Sequence, residues 1–194
     1  MAKINIKNLH YVVMDTEDTS SANPVYNQTI KKPTVGMVSV DLNVNITEAE
    51  LYADGILWTK NSDFKSAECS LTLADLPMEM QAEILGHTYD STDKTLIKKA
   101  GDVAPYVALG FEFEMQDNSK MCIWMYKGKA NPVSMSGETK GENISYGTND
   151  LSITFAALKG AGDNTGRWQY CKEFAAGADT TSFYSSIPLA TVTP

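Results

Sequence analysis

Cysteine, histidine and basic residues are all scarce in this sequence. Its three cysteines, Cys69, Cys122 and Cys171, are odd in number and about fifty residues apart, a spacing that fits neither a disulfide framework nor the paired ligands of a zinc site. Two histidines leave little material for a catalytic base. The 16 Lys and Arg against 24 Asp and Glu give a net charge of −8, which argues against a protein that grips nucleic acid through its phosphates.

Long apolar runs are also missing. No stretch of about twenty apolar residues exists that would span a bilayer, and residues 1–7 lack the apolar core of a signal peptide. Together with the unpaired cysteines, this predicts a soluble protein without a membrane partner, made in a reducing cytoplasm.

Recognisable catalytic motifs are absent from the sequence. There is no phosphate-binding loop, no dinucleotide fingerprint and no Gly-x-Ser-x-Gly elbow. Glu112 and Glu114 share the polar side of one strand candidate, about 7 Å apart, and such a pair serves glycoside hydrolases. Nothing near them suggests a sugar cleft, and His10 and His87 are expected to be structural or simply exposed. The missing motifs do not exclude an enzyme, but they favour a scaffold or binding protein, and the sequence predicts no metal site.

What the sequence does contain is alternation of apolar and polar residues. Residues 38–46 alternate without a break, which is typical of a strand with one wet face. The same period of two returns in residues 67–73, 107–115 and 151–155, and residues 117–120 favour a tight hairpin between two strands. The predicted fold class is mainly β, an antiparallel β-sandwich or half-barrel whose polar sheet faces are the place to look for function.

One helix is predicted over about residues 75–85. Asp75 is a candidate cap, Pro77 suits a first turn, and Gly86 suits the left-handed stop. Apolar side chains recur at helical spacing between them, which favours a helix that covers one end or face of the sheet.

The chain is long enough for one main domain with long excursions. We assign residues 1–174 to this domain, with polar loops at 15–34, 53–66 and 87–104, and with a short extended piece near residues 25–26. Residues 175–194 are expected to form a C-terminal extension, an arm or a frayed end.

Several short motifs, in their order along the chain, resemble the major tail proteins of long-tailed, non-contractile bacteriophages. They span roughly residues 8–158 and read NLHYV at 8–12, LYADG at 51–55, ILG at 84–86, YVALGFEF at 106–113 and GETKGE at 137–142. The resemblance implies a tail tube subunit with a β-sandwich or half-barrel fold and a flanking helix, without enzymatic activity or cofactor.

The resemblance also implies partners and a location. Copies of the chain would assemble into hexameric rings that stack into a tube, together with the tape measure, tail terminator and distal tail proteins. The tube would be assembled in the cytoplasm of a bacterial host and would function in the virion tail. DNA would pass through the lumen without specific binding, because six chains of −8 carry about −48 per ring and repel phosphate.

Individual residues can be assigned to this hypothesis. The lumen-lining candidates lie on the polar sides of two strands and are Asp41, Asn43, Asn45, Glu112 and Glu114. Trp58 and Phe64 are either folded back on the core or displayed at a ring-stacking contact, since aromatic anchors dominate interfaces. The alternative is a monomeric β-sandwich that binds carbohydrate or protein, as an adhesin or capsid decoration module does; it requires Trp58, Trp124 and Trp168 to converge on one exposed groove.

Overall fold

The computed structural model describes residues 2–133 and 147–189. These residues contain one α-helix, α1 (Met78–Leu85), and 3-10 turns at Gly162–Asn164 and Thr181–Tyr184. The strands are β1 (Lys3–Thr16), β2 (Val25–Tyr26), β3 (Met37–Ala53), β4 (Ile56–Leu73), β5 (Thr88–Asp90), β6 (Thr95–Ile97), β7 (Tyr106–Met115), β8 (Lys120–Ala130), β9 (Asn149–Ala156) and β10 (Gln169–Phe174).

Eight of these strands form one antiparallel sheet. Their order is β2-β1-β7-β8-β9-β4-β3, with β10 also paired to β8, while β5 and β6 form a separate hairpin. β8 changes neighbours along its length, because its first half pairs with β10 and its last four residues pair with β9. β1 lies beside β3 although the two are far apart in the strand order, so the sheet curves into a half-barrel. The predicted fold class is confirmed.

The main core fills the concave side of this sheet. The apolar positions of the predicted alternation, Ala67 to Leu73 on β4 and Leu151 to Phe155 on β9, are buried there together with Leu109 and Phe111 of β7. Helix α1 closes one end of the core with Met80, Ile84 and Leu85, and Leu76 packs there just before the helix. Each of these side chains is at most 5 % exposed, as the helical spacing in the sequence predicts.

The predicted helix is confirmed, but it begins later than residue 75. Pro77 has an extended backbone (φ −56°, ψ 140°) and acts as the N-cap, and the first helical hydrogen bond runs from the Gln81 amide to the Pro77 carbonyl at 3.0 Å. Asp75 instead accepts a hydrogen bond from the Leu76 amide at 2.8 Å. Gly86 ends the helix in the left-handed conformation (φ 73°), as predicted.

The predicted loop at residues 53–66 is wrong. These residues form the turn and the outer part of a hairpin in which β3 and β4 pair from Met37 and Leu73 to Ala53 and Ile56. Asp54 and Gly55 both have positive φ, 54° and 77°, which is the conformation of a tight two-residue hairpin turn. The aromatic and aliphatic residues of this segment therefore belong to strands rather than to a loop.

The other predicted excursions are partly ordered into strands. Residues 15–34 contain the end of β1 and the predicted extended piece at β2 (Val25–Tyr26), and residues 87–104 contain the β5–β6 hairpin. The hairpin predicted at residues 117–120 joins β7 to β8. The GETKGE motif at 137–142 and residues 190–194 lie outside the described residues.

Residues 175–189 are neither a projecting arm nor a frayed end. They fold back over the outer side of β7 and β8, where Tyr184 and Trp124 belong to a second small core. The Trp124 indole donates to the Phe183 carbonyl at 3.1 Å, and the Tyr126 hydroxyl donates to the Pro188 carbonyl at 2.8 Å. We call the outer side of β1, β7 and the first half of β8 the covered face.

Candidate functional site

The outer side of β3, β4 and β9 is lined by polar side chains, and we call it the bare face. Of the predicted lumen-lining residues, Asp41, Asn43 and Asn45 all lie here and are exposed. The strand register places Asp41 beside Ser70, and Ser70 beside Ser152 of β9. The bare-face positions, read across the three strands, are Ser39, Asp41, Asn43, Asn45, Ser66, Glu68, Ser70, Thr72, Asp150, Ser152 and Thr154.

Short polar side chains bridge the strands of the bare face. The Thr72 hydroxyl donates to Asp150 at 2.9 Å, and the Ser152 hydroxyl donates to Glu68 at 3.0 Å. Three carboxylates, those of Asp41, Glu68 and Asp150, therefore share this surface, and Lys129 of β8 lies in register with Thr154 at its margin. The surface is flat, hydrophilic and weakly acidic, which suits contact with water or with a sliding polyanion better than tight binding.

Glu112 does not join this surface, so its prediction as a lumen-lining residue is wrong. It lies on the covered face and is fully buried. One carboxylate oxygen accepts a hydrogen bond from the Thr180 hydroxyl at 2.9 Å, and the other lies 3.9 Å from Lys7 Nζ. The alternation correctly places Glu112 opposite the main core, but the C-terminal residues occupy the space where solvent was expected.

Glu114 is half-buried near the same face and is already paired within the chain. Lys7 Nζ donates to it at 3.1 Å and the Asn5 side-chain amide at 3.3 Å. These hydrogen bonds, with the Lys7 contact the stronger, lower the pKa of Glu114 below its ordinary value. With Glu112 buried beneath Thr180, the two carboxylates do not form the open pair that glycoside cleavage requires.

Beyond the body of the sheet the β3–β4 hairpin continues as a two-stranded arm, residues 46–66. β9 pairs with β4 only over Ala67 to Leu73, so the arm has no third strand among the described residues. Among the residues that the structure describes, thirteen large apolar side chains are exposed, and six of them are on the arm: Ile46, Leu51, Tyr52, Ile56, Leu57 and Trp58. A long two-stranded hairpin is only marginally stable in water, and an exposed apolar set of this kind marks an interaction site.

The two predicted stacking residues have different surroundings. Trp58 is 73 % exposed near the arm tip, so it is not folded back on the core of its own chain. Phe64 lies at the base of the arm, half-buried, with its ring stacked on Trp168 (centroids 5.2 Å apart). It packs against the main core and anchors the arm to the body.

The three tryptophans do not form a common exposed groove, because Trp124 is completely buried in the second core. The observation that the carbohydrate-binding alternative requires is therefore missing.

The described residues include the histidines and most of the carboxylates from which a catalytic or metal-binding arrangement would be built. They contain no group of three or more His, Cys, Asp and Glu side chains placed to hold a metal ion. His87 Nδ1 lies 2.7 Å from Asp102, but no hydroxyl or thiol is hydrogen-bonded to this pair within the described residues. The amide of Lys99 and the ring of His87 lower the pKa of Asp102, so the pair fastens the 87–104 excursion to the end of α1.

A sequence rule could have found the arm. Residues 46–53 and 56–64 flank an Asp-Gly dipeptide, which is the strongest short-range signal of a hairpin.

No helix in the part of the chain that the structure describes is long and apolar enough to cross a bilayer. No protein-family model matches the sequence, and no curated protein is significantly similar to it.

Proposed function

We propose that this protein is the tail tube subunit of a long-tailed, non-contractile bacteriophage. In this proposal it is a structural protein of the virion tail, without enzymatic activity. Copies assemble in the bacterial cytoplasm into hexameric rings that stack into a tube between the tail terminator and the distal tail protein, around the tape measure protein. DNA passes through the lumen during ejection.

The bare face is the observation that carries this proposal. It is a wide sheet surface with short polar side chains and three carboxylates, and it holds the three predicted lumen residues of β3. A wall of this composition offers phosphate no cluster of cations, so a DNA duplex would slide along it without binding. The burial of Glu112 removes one candidate from the lumen and leaves Glu68 and Asp150 in its place.

The arm supports the assembly part of the proposal. It extends the sheet by a two-stranded ribbon with exposed apolar side chains on β3 and β4. The outer edge of β3 is unpaired within the described residues, and an unpaired edge of this length is an aggregation hazard unless another chain completes it. Closed rings of identical subunits remove such edges.

Electron microscopy of the purified protein tests the proposal directly. Concentrated protein in negative stain should show rings with a central hole, or tubes built from them. Particles that remain single chains across a range of protein and salt concentrations would contradict it.

A charge substitution tests the role of the bare face within such tubes. Asp41→Lys places six cations per ring on the proposed lumen wall, and these tubes should retain short duplex DNA in a salt-dependent manner. Asp163→Lys is the matched control, because it makes the same charge change on the exposed 3-10 turn at Gly162–Asn164. Equal DNA retention by both variants would show that Asp41 does not face the lumen.

A further inference from the structure

The exposed apolar side chains of this chain concentrate at two opposite ends. Six lie on the arm, and three more lie around helix α1: Met78 on the helix, Ile97 on β6 and Val103, which is 71 % exposed. Val103 belongs to this end because its backbone carbonyl lies against the Cα of Gly86, the last residue of the helix turn. The molecule therefore has an apolar tip and an apolar base.

A groove opens at the base beside α1. It has a volume of about 380 Å³ and lies between β1, residues 27–31 and the last turn of the helix. Its lining includes Tyr11, Val13, Ala82 and Gly86, together with Thr29 and the ion-paired Lys31 and Glu83. The space is sufficient for an aromatic side chain, and most of the lining is apolar, as binding sites for aromatic anchors are.

The tip of a chain is too far from its own groove to fill it. β4 runs from the turn to the residue that precedes α1, and a strand rises about 3.3 Å per residue. Trp58 and Leu73 are fifteen residues apart on β4, so about 50 Å separate them along the strand. Any contact between tip and groove must therefore join two chains.

The two ends carry single charges of opposite sign, while residues 87–104 as a whole balance Lys94, Lys98 and Lys99 with Asp90, Asp93 and Asp102. Asp54 lies at the turn of the arm, and Lys94 and Lys98 lie on or beside the β5–β6 hairpin at the base. None of these three residues forms an ion pair within the described part of the chain. The arm as a whole carries four carboxylates and two lysines, which disfavours an anionic lipid surface as its partner.

We propose that the tip of the arm docks into the α1 groove of a second copy of this chain, with Trp58 as the anchor. This inference rests on the proposed function for the need to join copies, and it adds the surface that receives the arm. Because tip and groove are different surfaces, the contact is heterologous and repeats from copy to copy. It would continue the direction of β4 from one chain into the next.

Two substitutions isolate the two halves of the contact. Trp58→Ala removes the anchor, and Thr29→Trp fills the groove from its rim; both side chains are exposed, so folding should be unchanged. Each variant alone should self-associate at least tenfold more weakly than the original chain, in sedimentation or light scattering. Ser20→Trp is the matched control, since Ser20 is exposed and lies in neither surface; it should self-associate normally.

Mixing the variants gives the decisive result. Trp58→Ala keeps an open groove and Thr29→Trp keeps an intact tip, so an equimolar mixture of the two should form one-to-one complexes that neither variant forms alone. Absence of these complexes, or normal self-association by both variants, overturns the inference. Binding of the arm to phosphatidylcholine vesicles in a Trp58-dependent manner, without self-association, also overturns it and identifies a lipid partner.

The same samples separate this inference from the proposed function. Tubes with a central hole that persist in Thr29→Trp would leave the tail tube proposal standing and reject the groove. If the two variants form complexes with each other but the original chain never forms hollow particles, the groove contact stands and the tail tube proposal is rejected.

Discussion

The covered face and the bare face belong to one continuous sheet, yet their side chains differ in kind. On the covered face, Trp124 lies over Gly110, where a Cβ would come within about 3.0 Å of the indole, and Tyr184 packs on the same ring. On the bare face the same positions of the strands carry serine, threonine, asparagine and carboxylates. The chain thus completes one half of its outer surface by itself and leaves the other half to solvent or to other molecules.

The comparison teaches that alternation reports which side of a sheet a residue occupies, but not what lies on that side. Glu112 and Asp41 occupy equivalent polar positions in alternating strands, and one is buried whereas the other is exposed. The difference arises about seventy residues later in the chain, where residues 175–189 return to β7 and β8. The border between the halves is the point on β8 where its neighbour changes from β10 to β9.

Removing the Trp124 side chain from the covered face should lower the free energy of unfolding more than any other substitution proposed below. Trp124→Ala deletes a fully buried aromatic side chain and its hydrogen bond to the Phe183 carbonyl, so the free energy of unfolding should fall by about 3 to 5 kcal/mol. Urea unfolding measures the change. Trp58→Ala is the control and should change the stability of the single chain by less than about 0.5 kcal/mol; equal losses in both variants would contradict the comparison.

The border between the faces depends on a buried ion pair. Asp18 accepts a hydrogen bond from Lys127 Nζ at 2.6 Å, one from the Gly160 amide at 3.2 Å and one from the Lys159 amide. Asp18→Asn leaves the buried Lys127 ammonium without its closest counter-charge and should cost about 3 kcal/mol. Denaturant unfolding checks this, and Glu17→Gln, which removes the exposed partner of the same lysine, should cost much less.

The same pair predicts acid sensitivity. Burial raises the pKa of Asp18, but the hydrogen bonds from Lys127 and from the two amides outweigh it, so this pKa lies below the ordinary 3.8. The stabilisation is complete above the unfolded-state pKa and is lost as the pH falls through the folded-state pKa. Stability measured from pH 5 to pH 2 should decline more steeply in the original chain than in Asp18→Asn, and parallel curves would contradict this.

His10 should also make the stability depend on pH, over a higher pH range and by a smaller amount than Asp18 does. Its ring stacks on Tyr184 (centroids 4.3 Å apart), and burial lowers its pKa below 6.5 despite the opposing contact with the Asn8 carbonyl. The unfolded chain therefore binds a proton more readily, and stability should decrease as the pH falls below about 6.5. Thermal unfolding at pH 8 and pH 5.5 measures it; His10→Phe, which keeps an aromatic ring, should show a smaller decrease.

Substitutions on the bare face should change the stability least. Asn43 is exposed and makes no side-chain hydrogen bond within the described residues, so Asn43→Ala should change the free energy of unfolding by at most about 0.5 kcal/mol. Chemical denaturation is again the measurement. A loss above about 1 kcal/mol would mean that this face contributes to the stability of the single chain, as the covered face does.

Much of the sheet and the helix could be predicted from sequence. The alternating runs that became β4, β7 and β9 carry the buried residues of the main core, and Gly86 ends α1 where its freedom to adopt positive φ predicts. These features depend on local spacing and local backbone preference. The three bare-face residues of β3 were found in the same way.

The rest depends on contacts between distant segments. The first residues of β1 have little apolar alternation and are held by pairing with β7, so no local pattern predicts their strand. Residues 53–66 are predicted to be a loop because large apolar residues are mixed there with turn-forming residues, which hides the strand pattern. The burial of Glu112 required the path of residues 175–189, which no local pattern encodes.

The uninterrupted run of β4 has a mechanical consequence. It extends from the arm tip to the residues that lead into α1, and its ladder bonds with β3 lie across the strand direction. A pull between the tip and α1 would be carried along the covalent backbone of β4, while these bonds hold that strand against β3. The hairpin would then behave as a stiff strut that carries tension from one end of the subunit to the other.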